Sequence, residues 1–67
     1  HGLTERQIAV LQHLCRGDSN KDISAALDIS EKTTKTHITA IFKTLGVVNR
    51  LQAATAARRL GLVADDN

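Results

Sequence analysis

Lysine and threonine recur at positions 32, 35, 36, 39 and 43 of this 67-residue chain, and on an α-helix those five side chains share one face. Lys32, Lys35 and Lys43 bring ammonium donors, while Thr36 and Thr39 bring short hydroxyls and methyls. This is chemistry for holding an anion, with nothing in it to make or break a bond. A face that is merely solvated would mix Glu and Lys in i,i+4 pairs, yet no acid follows Glu31 until Asp65. A single helix fits the major groove of B-DNA, about 12 Å wide, where lysine donates to guanine N7 and O6. Threonine there touches a thymine methyl or bonds a base edge, and its shortness lets the helix backbone come close.

Charge along the chain agrees with that reading. Residues 1–31 hold three basic side chains against five acidic ones, and residues 32–64 hold six basic ones and no acid. The first stretch is therefore −2 and the second +6, the footprint of a polyanion binder, although a solvated helical surface would look similar from charge alone. Other chemistries are disfavoured. No nucleophile–base pair, paired carboxylates or glycine-rich phosphate loop is present, so the chain is not expected to be an enzyme. Cys15 is alone, which excludes a disulfide framework, and His1, His13 and His37 lack zinc-ligand spacing. No metal and no cofactor is expected. Phe42 is the sole aromatic, so the stacking platforms of single-strand binders cannot be built. No apolar run approaches the roughly 20 residues of a membrane span. His1-Gly2-Leu3-Thr4 has neither an initiator Met nor a signal-peptide pattern, and the chain reads as a piece of a longer cytoplasmic protein.

The elements that must position the basic face are legible in the punctuation. With 42% hydrophobic and 24% charged residues the chain should fold, as one domain over 1–67. Apolar residues recur at three- and four-residue spacing between capping signals, which predicts an all-α, four-helix domain. Thr4-Glu5-Arg6-Gln7 is a capping box for a helix over about 5–16, with Ile8, Leu11, Leu14 and Cys15 as its core face and Gly17 beyond its end. Ser19 caps a short helix over 20–27 with Ile23, Ala26 and Leu27 apolar. Asp28-Ile29-Ser30 makes a tight turn in which Asp28 takes the left-handed conformation and Ile29 plugs the core. The third helix, 31–45, carries the basic face opposite a stripe of Thr34, Ile38, Ile41, Phe42 and Leu45. Asn49 caps a fourth, alanine-rich helix over 50–60, closed by Gly61. A short helix, a tight turn and a longer helix form a helix-turn-helix, whose second helix enters the groove while the first crosses the backbone. Asn20 and Lys21, opening the short helix, can hold a phosphate with side chains, free amides and the helix dipole.

Leu3-Thr4-Glu5-Arg6, Val10-Leu11, Gly17-x-Ser19-Asn20-Lys21-Asp22-Ile23, Leu27-x-Ile29-Ser30, Thr33-x-Lys35-x-His37, Ile41 and Leu45-Gly46-Val47-x-x-Arg50 together resemble the LuxR-type (FixJ/NarL-type) DNA-binding domain. The likeness covers about residues 3–63 without a gap. It implies a tetrahelical helix-turn-helix domain that regulates transcription by binding double-stranded DNA. By that resemblance Lys35, Thr36 and Thr39 fall where the family reads bases. Asn20, Lys21, Lys32, Thr33 and His37 fall at or near backbone-contacting positions, and Arg50 is a further expected phosphate contact. The resemblance also implies a homodimer through the fourth helix, here with Ala53, Ala56 and Ala57 as seam residues, and RNA polymerase as a partner. Family frequencies favour the output domain of a two-component response regulator. Ser24 and Thr34 depart from the pattern, which usually has Ala and Val there, and each can bond the carbonyl four residues back.

Plainer readings stand beside these. The alanines of the fourth helix can simply pack against their neighbours, His37 can be a packed neutral histidine, Thr33 can serve only the helix start, and Cys15 can be a small core residue. The basic face could dock an acidic protein instead of DNA, and sigma-factor promoter-binding domains share the same turn.

Overall fold

A computed structural model describes residues 1–63. Its elements are α1 (Glu5–Cys15), α2 (Asn20–Leu27), α3 (Glu31–Leu45) and α4 (Arg50–Arg59), and among the described residues there is no strand. Each helix starts where a side chain takes its first free amide. Thr4 and Ser19 each make a reciprocal capping box, with Gln7 and Asp22, while Ser30 and Asn49 accept from the Thr33 and Gln52 amides. α1 and α4 each end one residue earlier than the pattern predicts. The amides of Arg16 and Gly61 bond three residues back, to His13 and Arg58, which tightens the last turn out of α-helical geometry.

α1 is the central element, packed on α3 along one side and on α4 along another, while α2 packs chiefly on α3. The fully enclosed apolar side chains are Val10 and Leu11 of α1, Ile23 of α2, Ile41 of α3, and Ala53 and Ala57 of α4. Truncating Leu11, Ile23 or Ile41 to alanine would cost about 2–5 kcal/mol each, a large part of what a domain this small possesses. On α2 the buried pair is Ile23 and Ser24, and the expected Ala26 is exposed. Ile29 is only half-buried and stands outside the core cluster.

The turn that aims α3 is tight for a local reason. Asp28 sits in the left-handed region at φ 55°, ψ 49°, and the Ile29 amide donates to the Ser24 carbonyl at 3.0 Å. Asp tolerates this region far better than a β-branched residue, so the turn closes without glycine.

Candidate nucleic-acid interface

α3 presents Lys32, Lys35, Thr36, Thr39 and Lys43 to solvent, with Thr34 and Ile41 buried beneath them. Among the described residues no carboxylate lies in ion-pair range of the three lysines, so their charge is free for an external anion. Thr36 donates its hydroxyl to the Lys32 carbonyl at 3.0 Å, which leaves its lone pairs and methyl facing outward. As arranged, it can accept from a base amine or touch a thymine methyl. Thr33 is exposed, and its hydroxyl accepts from Ser30 Oγ at 2.9 Å. That bond braces the helix start and keeps the Thr33 proton available to an oxygen outside. His37 is half-buried on the flank of the face.

A second cationic corner forms at the start of α2. Arg50, the first residue of α4, donates to the Asp18 carbonyl at 3.0 Å and to Asn20 Oδ1 at 2.8 Å. α2 and α4 do not otherwise pack on each other, so the long guanidinium arm is what spans them. The bracket orients Asn20: its oxygen is taken, leaving the amide NH2 to donate outward. Beside it stand Lys21 and the unbonded first amides of α2, while Asp22 is occupied by the Ser19 amide at 3.3 Å. Arg50 therefore acts inside the domain, with donors to spare for an anion. Nothing local in the sequence announces this pairing, since its partners lie 30 and 32 positions away.

The expected seam on α4 needs correcting. Ala53 and Ala57 are 0% exposed, enclosed in the domain's own core, and cannot meet a second molecule. Small side chains here let α4 approach its neighbours closely, which was the plainer of the two readings. Ala56 alone of the three reaches the surface, where it lines an apolar groove with Leu45, Val47, Leu51, Thr55 and Leu60. Val48 and Leu51 beside that groove are 78% and 74% exposed. Cys15 is part-buried, and burial pushes its thiol above the usual range, against a weaker opposite pull from the Arg58 charge. It stands as a protonated packing residue.

Comparison with known proteins joins this geometry to relatives. The family of bacterial regulatory proteins described as GerE, luxR family, matches residues 1–57. The glycerol metabolism activator of Pseudomonas putida is 47% identical over 55 residues, which are 82% of this chain but 25% of that protein. Among solved structures, the response regulator ChrA of a heme-sensing two-component system superposes with a TM-score of 0.87 at 48% identity, over 92% of this chain and 31% of ChrA. The transcription factor GerE does so with a TM-score of 0.87 at 45% identity, over 96% of both chains. The chain thus spans about a quarter of the activator's length.

Proposed function

The chain belongs to the luxR family of bacterial regulatory proteins, a family of helix-turn-helix transcription regulators, and on that premise we propose that it is a sequence-specific, dimerising output domain of a response regulator. Its fold and family are those of DNA-binding regulators and not of enzymes. The observation that carries the proposal is the uncompensated Lys/Thr face of α3, fully exposed on a helix whose other side is locked into the core. In this reading Lys35, Thr36 and Thr39 meet base edges in the major groove. Lys32, Thr33, His37 and the corner of Asn20, Lys21 and Arg50 hold phosphates.

The groove beside Leu51 and Ala56 supports dimerisation, because apolar side chains this exposed on so small a domain favour burial by a second copy. Contact with RNA polymerase belongs to the same proposal, through surfaces such as the exposed carboxylates Glu5 and Asp28, which lie off the basic face. Such a protein acts in the cytoplasm, and no described helix is long and apolar enough to cross a membrane. The likeness to ChrA supports a response-regulator setting.

Fluorescence anisotropy against random and selected duplexes, over a salt series beginning low, tests the reading. Affinity falling linearly with log salt, and a selected site outcompeting random DNA, are the expected results. No binding at the lowest salt, even with two domains joined in tandem, would leave the face to an acidic protein partner.

A further inference from the structure

Ser24 and Thr34 are the buried polar side chains among the described residues, 7% and 0% exposed, and they meet at the contact of α2 with α3. Their hydroxyl oxygens are 2.7 Å apart. Each also reaches the carbonyl four residues back, Ser24 to Asn20 at 2.6 Å and Thr34 to Ser30 at 3.1 Å. Two hydroxyl protons therefore serve three short contacts, and one contact is always shared.

Those backbone bonds matter to the argument. If the two side chains were separated, each would still be satisfied within its own helix, so the cross-helix contact is not needed to avoid a stranded buried hydroxyl. What it adds is direction. Apolar groups tolerate sliding and small rotations against each other, whereas a hydrogen bond this short fixes distance and angle together.

The position of the tie gives it leverage. Thr34 immediately precedes Lys35 and Thr36, and Ser30, at the far end of its backbone bond, caps α3. A turn of about 5° about Thr34 would displace Lys43, about 13 Å further along the helix, by about 1 Å. Asn20, which takes the Ser24 hydroxyl on its carbonyl, also takes Arg50 on its side chain, so the tie runs from the phosphate corner to the base-facing helix.

We propose that the Ser24–Thr34 pair is a positioning device that sets the angle of α3 on α2, and through it the discrimination between base sequences by Lys35, Thr36 and Thr39. This rests on the DNA-binding reading above.

The test compares Thr34→Val, Ser24→Ala, the double variant and Thr34→Ser for thermal unfolding and for the ratio of affinities for a selected and a random duplex. Thr34→Val and the double variant keep the shape of the contact without the hydroxyl tie. They should melt close to the unmodified domain and bind random DNA as it does, while their selected-to-random ratio falls roughly tenfold, the scale of one mispositioned base contact. Thr34→Ser keeps the hydroxyl and loses a buried methyl, so it should melt lower and keep its ratio. Should Thr34→Val fail to fold, Ser24→Ala removes the same tie from the other helix.

An unchanged ratio in the hydroxyl-free variants, or an equal loss in Thr34→Ser, overturns the proposal. An unmodified domain with no preference among duplexes overturns the base-reading proposal itself, and with it this one, which separates the two failures.

Discussion

Two lysines of like charge, Lys35 in the middle of the exposed α3 face and Lys21 at the start of α2, meet the same polyanion differently. Lys35→Ala should cost about 1–3 kcal/mol on the selected site and relax discrimination, whereas Lys21→Ala should weaken every sequence alike and lower the salt slope by about one. Competition titrations at two salt concentrations separate these patterns, and a uniform loss from Lys35→Ala would remove it from base contact. Cys15 gives a prediction of another kind. Burial raises its thiol pKa in the folded state, so the protonated thiol's advantage is fully present below the unfolded value and is lost as pH rises through the folded one. Melting temperature should therefore fall more steeply above about pH 8.5 in the unmodified domain than in Cys15→Ala. Identical alkaline profiles would contradict the shift. At this scale the exposed side chains of α3 were legible, because helical periodicity alone sorts them onto one face. The Arg50 bracket was not, because its partners are joined only by the tertiary fold.

At the scale of elements, the caps were the most readable feature: each is a bond spanning three residues, and Thr4, Ser19, Ser30 and Asn49 all serve where the sequence places them. The direction in which α4 faces was not readable. Alanine lies on several sides of that helix, so its pattern does not tell core from surface, and Ala53 and Ala57 turned inward while Leu51 stayed out. This division predicts opposite outcomes for two substitutions on one helix. Leu51→Glu should leave the melt within about 0.5 kcal/mol of the unmodified stability and abolish self-association in sedimentation equilibrium. Ala57→Leu should overpack the core and cost about 1–3 kcal/mol. Dimers that survive Leu51→Glu would move the interface off the groove. Ser24 entered the core where Ala26 was expected because positions 23, 24 and 27 share a helical face as readily as 23, 26 and 27. Apolar type alone chose the wrong triplet.

For the whole molecule, a compact body of 29 × 25 × 20 Å is closed by bonds of very different reach along the chain. The α2–α3 tie joins residues 10 positions apart, while Gln12 donates to the Leu62 carbonyl at 3.1 Å across 50 positions. Contacts between near neighbours form before those that must close a long loop. α4 also contributes only small side chains to the fully enclosed core, so less apolar area holds it in place. The order of assembly follows: the helix-turn-helix forms on α1 first, and α4 docks last and departs first. Native-state hydrogen exchange should show the α4 amides opening at lower free energy than those of Ile23 and Ile41, and equal protection would refute that order. In the cell, brief openings would then part the two copies of a dimer while leaving each base-facing helix intact. The Gln12–Leu62 bond is in that sense a timer, setting how long two domains stay together on one site.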